Sequence, residues 1–540
     1  MRRAQLQPAA GSDHWLCERS DFFASGFDTG PSIGKSCGVP TTLAANAPTI
    51  WIFGDQLNRD IASLDGRSPG DCRILFVESQ TKWESKRWHV QRLHLVVSAM
   101  RHFAAELEVE GFTVDYRSAA SLPAGLRAHV DEHQVESVMA MEPMSWDGRA
   151  MLERLGVETV RNNQFLCHYD DFAEWSASKK KFKMEDFYRW QRQRLDLLMD
   201  ADGPAGGAWN FDADNREPPP KDGRPWPEIA SFDLDDVDHQ VLEALPEVWG
   251  AMPDGTWPVT REQALIRLDE FVTTALAPFG PHEDAMIDAE WKLAHSVLSS
   301  SMNLGLLHPE EIVLAAEAAY REGSAPINSV EGFIRQVIGW REYVWGLYWL
   351  WMPEYRTMNE LDADRPVPPA LTGEAETEMA CVASVMRHVH DHGYAHHIER
   401  LMVLGNLALT SGVDPAAMTD WMWATFVDGA EWVMLPNVIG MALYADGGRM
   451  ATKPYAAGGA YMNRMSNHCK GCRFDPKKRT GDDACPYTTL YWDFLARNEE
   501  ALKGNHRLGR QMGGMRKLSD LSAVRERAVD VRRRLDAGTL

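Results

Sequence analysis

Thr49-Ile50-Trp51-Ile52-Phe53-Gly54-Asp55-Gln56-Leu57 reads as a buried strand that stops in a turn. A run of β-branched and aromatic residues suits a strand covered on both faces. Gly, Asp and Gln directly behind it supply turn chemistry. Arg73–Glu78 repeats the pattern, and a basic amphipathic helix over about 85–110 follows, carrying Ser98-Ala99-Met100-Arg101-His102-Phe103. Further strands are expected at Thr113–Tyr116, Ser137–Met141 and Val157–Val160. Strands alternating with helices define a parallel, Rossmann-like α/β sheet. Ligands of such sheets sit at the carboxyl ends of the strands. Gly54, Asp55, Gln56, Leu57 and Glu78 lie there, where Asp55, Gln56 and Glu78 suit a small polar heterocycle and serve equally well as turn and cap residues. No G-x-G-x-x-G or Walker sequence occurs, which excludes an ordinary dinucleotide or ATP site.

Outward from this unit the pattern changes. Residues 1–46, rich in Gly, Ser, Pro and Ala, read as a flexible extension carrying Cys17 and Cys37. The α/β domain is expected over 47–175, and a linker with helices over 176–259. The linker opens with Lys179-Lys180-Lys181-Phe182-Lys183 and a helix bearing Arg189, Arg192 and Arg194. Its acidic stretch Asp233–Glu243 reads as a solvated face. From 260 to 510 apolar helical segments are broken at Pro278, Pro309, Pro326, Pro353, Gly393, Pro415 and Pro436, an all-α domain. Residues 511–540 form a helical tail.

The all-α domain ends in Cys469-Lys470-Gly471-Cys472 and, twelve residues on, Cys485-Pro486. Two thiolates on a tight turn share a metal centre readily, and proline behind the last ligand is common in iron–sulfur segments. Cys381 is the nearest candidate for a fourth ligand. Zinc on three thiolates and His468 is the alternative, and a chance Cys-x-x-Cys the third.

Eight cysteines with no apolar leader behind Met1-Arg2-Arg3 point to a reducing, cytoplasmic compartment, and no apolar run spans a bilayer. A net charge of −22 argues against unspecific binding to nucleic acid. Residues 446–480 oppose that trend, with eight Lys and Arg against two Asp, interleaved with Tyr455 and Tyr461. Such a patch, with Lys179–Lys183, suits a phosphate backbone.

Elsewhere polar residues interrupt apolar helices. His295–Ser300 leads a helix whose hydroxyls and free N–H groups suit a phosphate. Glu331–Tyr343 carries Arg335, Gln336 and Arg341, and Tyr394–Met402 carries His396, His397 and Arg400; buried arginines need anionic partners.

These stretches, with Phe53–Leu57, Ser98–Ala104, Trp209–Arg216, Glu431–Met441, Thr452–Met465 and Tyr491–Leu495, resemble the photolyase/cryptochrome family. The likeness is to its iron–sulfur bacterial branch, which includes bacterial (6-4) photolyases, and it covers about 48–510. The resemblance implies FAD in the helical domain, with Ser296, Leu298 and Ser299 at its phosphates and Gln336, Arg341, Arg400, Asp428 and Asn437 around the rest. It implies a [4Fe–4S] cluster on Cys381, Cys469, Cys472 and Cys485, and a 6,7-dimethyl-8-ribityllumazine antenna near Gly54–Leu57 and Glu78. The implied activity is blue-light repair of UV-damaged DNA by a monomer, most closely of (6-4) photoproducts. His397 would donate a proton, His396 would tune it, and Tyr455 and Tyr461 would touch the lesion. Asp212 and Asp284 would hold Mg2+ or tune the histidines. Met434 falls near flavin N5, and Met422, Ala430 and Leu371 replace aromatic electron relays common in relatives, leaving Trp340, Trp345, Trp421 and Trp423. Two rivals share these features: a cryptochrome-like photoreceptor without repair, and a non-photochemical iron–sulfur DNA-binding protein.

Overall fold

Residues 43, 44 and 46–540 are described by the structure, a computed structural model. Nearly all of the proposed extension, including Cys17 and Cys37, lies outside them. Five strands, β1 (Thr49–Trp51), β2 (Arg73–Ser79), β3 (Thr113–Ala119), β4 (Val138–Met141) and β5 (Glu158–Val160), pair in parallel in the order β3-β2-β1-β4-β5. Ile50, Trp51, Ile74, Leu75 and Phe76 are fully buried, which explains the continuous apolar runs. The order reverses between β1 and β4, the crevice where open α/β sheets bind ligands.

The crossover helices are α1 (Val90–Val109), α2 (Leu122–His133) and α3 (Trp146–Leu155). Helix α1 begins five residues later than the charge pattern suggests. His89 caps it by accepting from the Gln91 N–H, and the residues before it turn. Further on lie α4 (Met184–Leu195) and α5 (Asp236–Ala244). Arg192 of α4 is wholly buried and donates to the Leu197, Leu198 and Trp209 carbonyls, so it serves the fold and not a surface patch. The acidic stretch is not simply solvated: Asp238 and Val241 of α5 are buried against α1.

Beyond Arg261 the named elements are helical, including α6 (Ser299–Leu304), α7 (Ala380–His392), α8 (Pro486–Arg497) and α9 (Leu521–Asp536). One apolar core runs from Ile50 and Phe76 of the sheet into Leu298, Val330 and Ile338 of the helical region. A second surrounds Trp345, Tyr348 and Trp432. The turn behind β1 is tied to the end of α6, where the Leu57 N–H donates to the Leu304 carbonyl at 2.8 Å and Asn58 Nδ2 to the Gly305 carbonyl at 3.0 Å. Gly305 has φ +86°, and a Cβ there would lie 2.2 Å from Gln164 Nε2 and 3.0 Å from the Leu57 nitrogen. Only glycine fits both the left-handed backbone and the close approach. Among the described residues no helix is long and apolar enough to cross a membrane.

Candidate functional site

A cavity of about 320 Å³ opens inside the helical region. Three π-helical segments supply much of its wall: Arg335–Arg341 brings Gln336, Trp340 and Arg341, Glu399–Gly405 brings Arg400, and Pro436–Ala442 brings Asn437. A π turn widens the helix and shifts the following side chains, a device common at functional sites. Phe279, Phe333, Val337, Met422, Trp432, Met434 and Val438 make the wall apolar.

Polar groups gather at one end. Arg400 Nη1 donates to Asp428 Oδ1 at 2.9 Å, and Ser299 Oγ donates to Asp428 Oδ2 at 2.7 Å. Asn303 Nδ2 donates to the Asp428 carbonyl at 2.9 Å. Arg341 pairs with Glu342 at 2.6 Å and lies over the Phe165 ring at 4.1 Å. Arg341 Nε and Arg400 Nη2 are buried without a hydrogen-bond partner. Ser296, Ser299, Gln336, Arg341, Arg400, Asp428 and Asn437 thus line one cavity, as the resemblance implies. Leu298 does not; it is buried at the start of α6 and reaches the site only through its backbone.

His397 stands at the rim, half exposed, with Nε2 3.4 Å from Asp284 Oδ1. Burial alone would lower its pKa, but Asp284 and Glu283 outweigh that and raise it. His396 is fully buried, stacked on His295 at 4.5 Å, with neither ring nitrogen hydrogen-bonded. Burial, reinforced by His295 and His397, holds its pKa well below that of free imidazole. One histidine of the pair therefore favours the charged form and the other the neutral form.

Asp284 also reaches both tyrosines. Burial, then Asp284, raises the Tyr461 phenol, and burial raises Tyr455, with Asp212 and Asp284 among its charged neighbours. Asp212 pairs with Arg335 at 3.3 Å and with Arg216. Glu283 was missed by sequence reasoning. It is buried, and burial pushes its carboxyl up to about 7 despite His397 and Arg335 nearby. Three consecutive titratable residues behind Pro281, His282-Glu283-Asp284, were the available signal.

A second cavity of about 500 Å³ lies at the sheet's switch point, between the ends of β1, β2 and β4. Gly54, Asp55 and Glu78 line it with Lys82, Trp83, Trp88, Arg92, Met100 and Ser145. Burial pushes the Asp55 carboxyl up to about 6. The Glu78 carboxylate is already held by Arg101 at 2.8 Å and Tyr116 at 2.5 Å. Gln56 and Leu57 do not line this cavity. Gln56 donates to the Met141 and Glu142 carbonyls, bridging β1 to β4, and Leu57 makes the tie to α6. Asn303, Asp428 and Trp432 line both cavities, so the two share a wall. Met422, Met434 and Trp340 face the first cavity, whereas Trp423 faces the second.

The four cysteines converge. Burial raises the Cys381 thiol, and Cys485, Cys469 and Cys472 add to the rise; burial with Cys485 and Cys472 pushes Cys469 up to about 12. No three of these sulfurs lie within 4.8 Å of one another among the described residues. A tetrahedral zinc–thiolate site would set its sulfurs about 3.8 Å apart. His468 turns elsewhere: burial takes its pKa down to about 4, and its charged neighbours are Asp288, His388 and Arg387. Of the basic residues in 446–480, Arg473, Lys478 and Arg479 pair with Glu378, Asp483 and Asp520, which reduces the local excess.

Sheet, helical region and adjoining cavities define a two-part protein with room for a ligand in each part. Residues 50–255 match the family described as deoxyribodipyrimidine photo-lyase-related protein. The chain is 41% identical over 508 residues, 90% of its length and 99% of the relative's, to a (6-4) photolyase of Agrobacterium fabrum (strain C58 / ATCC 33970). It belongs to the photolyase/cryptochrome family. Its fold is similar to that of a bacterial class III photolyase from Agrobacterium tumefaciens, at TM-score 0.52 and 17% identity, covering 93% of this chain and 100% of that one. A Synechocystis sp. PCC6803 cryptochrome matches at TM-score 0.51 and 13% identity, covering 91% and 99%.

Proposed function

We propose that the chain is a blue-light-driven DNA photolyase that reverses (6-4) pyrimidine–pyrimidone photoproducts. The observation that carries this reading is the split histidine pair, an exposed His397 facing Asp284 beside a buried, unpaired His396. A cyclobutane dimer needs only an electron, whereas a (6-4) lesion also needs a proton delivered to the group that returns to its base. An imidazole of raised pKa at a cavity rim suits that donation. The 41% identical relative from Agrobacterium fabrum, a (6-4) photolyase, supports the same reading.

The first cavity suits FAD. Apolar walls fit an isoalloxazine, and the unsatisfied Arg341 and Arg400 N–H groups await polar oxygens. Reduced FAD, when bound, supplies the electron that opens the lesion bond under blue light. The residues do the rest. Asp428 holds Arg400 and Ser299 in place, and Trp432 keeps water from the deep wall. Tyr455 and Tyr461, which have Asp284 among their charged neighbours as His397 does, contact the flipped lesion, whose extrusion costs a few kcal/mol, least where pairing is already damaged. Asp284 keeps His397 charged, and His396 stays neutral behind it. Asp212 and Asp284 are the carboxylates that would take Mg2+.

The second cavity suits the ribityllumazine antenna, with Trp83 and Trp88 for ring contacts and Asp55, Lys82 and Arg92 for polar ones. Cys381, Cys469, Cys472 and Cys485, brought together from α7 and the start of α8, suit a [4Fe–4S] cluster. The partner is UV-damaged DNA, met by the basic 446–480 segment, and the working form is a cytoplasmic monomer. Replacing His397 by Ala tests the proposal. Flavin and iron content should persist while repair under blue light falls about 10²–10⁴-fold, the worth of a general acid. Undiminished repair would remove His397 as the donor.

A further inference from the structure

Among the described residues three clusters, one of histidines alone and two of histidine with carboxylate, stand at metal-ligand spacing. His295, His396 and His397 belong to the site already described. Asp115, His129 and His133 form a closed network: Asp115 is neutralised by Arg117, and His129 is bonded on both ring nitrogens, to Asp115 at 2.5 Å and Thr49 at 2.8 Å.

The third cluster joins α1 to α5. His94 and His102 lie two turns apart on one face of α1, with Ser98 between them. Asp235, the N-cap of α5, and Asp238 in its first turn face them. Both acids came from the stretch that composition assigned to a solvated surface. His94 Nε2 lies 3.2 Å from Asp238 Oδ1, His102 Nε2 lies 3.6 Å from Asp235 Oδ1, and His102 Nε2 lies 3.9 Å from Asp238 Oδ1.

Hydrogen bonding accounts for only part of this arrangement. Asp238 is 2% exposed, and its Oδ2 accepts from the Asp235 N–H. Its Oδ1, turned toward the histidines, has no hydrogen-bond partner, and neither has His102 Nε2. Asp235 Oδ1 accepts from the Val237 and Asp238 N–H groups, and His94 Nε2 is also within 3.2 Å of Ser98 Oγ. Among the described residues no Lys or Arg lies within 4.0 Å of either carboxylate. The separations of 3.6 and 3.9 Å are too long for hydrogen bonds. They lie close to the edge of about 3.4 Å expected between ligands of one tetrahedral ion.

We propose that His102, Asp235 and Asp238 bind a divalent transition-metal ion of the zinc class, which staples α5 to α1, with His94 beside Asp238 as an orienting neighbour. One imidazole and two carboxylates, with a fourth position for solvent, suit Zn2+ or Co2+; Mg2+ and Ca2+ favour all-oxygen sites. The opposite side of α1, through Leu93, Val96, Val97 and Met100, lines the cavity at the sheet's switch point. An ion here would hold the linker against the helix that forms that cavity.

The test uses the full chain with its flavin and cluster, equilibrated with ZnCl2, separated by gel filtration and analysed for zinc by mass spectrometry. The wild type should retain one zinc more than His102→Gln/Asp238→Asn, and His133→Gln should match the wild type. X-ray absorption of the zinc lost in the double variant should show imidazole and oxygen without sulfur. Equal zinc in wild type and double variant, or a sulfur shell, overturns the proposal. Flavin ratio and circular dichroism report whether the double variant folds. If it does not, Asp235→Asn, which keeps an N-cap oxygen, serves, and its zinc affinity should fall at least about tenfold, as loss of an orienting or ligating group does; unchanged affinity overturns the proposal.

Discussion

His397 Nε2 lies 3.4 Å from Asp284 Oδ1 at the mouth of the helical cavity. The carboxylate raises the His397 pKa against the opposing effect of burial. His397 therefore stays charged further into the neutral range than a free imidazole, and loses its proton as pH rises through the raised value. Asp284→Asn should lower that value. The alkaline limb of the repair–pH profile should move to lower pH, with a several-fold loss at pH 8 and little at pH 6. A profile that keeps its limb would show that Asp284 does not set the His397 charge.

Arg400 and Asp428 form a partly buried pair at 2.9 Å, with Ser299 on the second carboxylate oxygen. Removing one partner leaves the other charge unpaired. Asp428→Asn should weaken flavin retention by about 2–5 kcal/mol, the cost of truncating a buried hydrogen-bonded charge pair. The flavin-to-protein absorbance ratio after gel filtration measures it. Asp428 also lines the second cavity, so antenna occupancy should fall in the same variant.

Burial, with neighbouring cysteines adding to it, raises the Cys381, Cys469 and Cys485 thiols, so holding them as thiolates requires compensating positive charge. Iron and sulfide analysis of anaerobically purified protein should give about four of each per chain. Cys485→Ser should lose both and unfold at lower temperature, because the ligands join α7 to the start of α8. One zinc and no iron at these cysteines would contradict the cluster.

Gly305→Ala tests the tie between sheet and helical region. The positive φ and the approach to Leu57 and Gln164 should together cost about 1–3 kcal/mol, read as a lower Tm with the cavities otherwise intact. An unchanged Tm would show that the turn relaxes freely.

β1 and β2 were legible because each carries an apolar run between turn residues, and burial on both faces forces that pattern. Ends were harder: Ile52 still donates to Leu75 beyond the last paired residue, and Ser85–Arg87 look helical only by charge. Gln56 shows the limit of motif reading. Its position behind β1 suits a ligand, yet its amide bridges two carbonyls of the adjacent strand, a long-range contact invisible along the chain. Glu283 and Asp238 were hidden for the opposite reason, since an acid in a polar stretch looks solvated until an apolar partner covers it. The π turns that aim Gln336, Arg400 and Asn437 inward leave no mark in composition.

Repair of the two lesions, compared side by side, tests the central claim. Oligonucleotides carrying one (6-4) photoproduct or one cyclobutane dimer would be illuminated at blue wavelengths with the purified chain, reductant and Mg2+. The split histidine pair predicts conversion of the (6-4) substrate and not of the cyclobutane one. Conversion of the cyclobutane substrate alone, or of neither while the flavin absorbs normally, would contradict it.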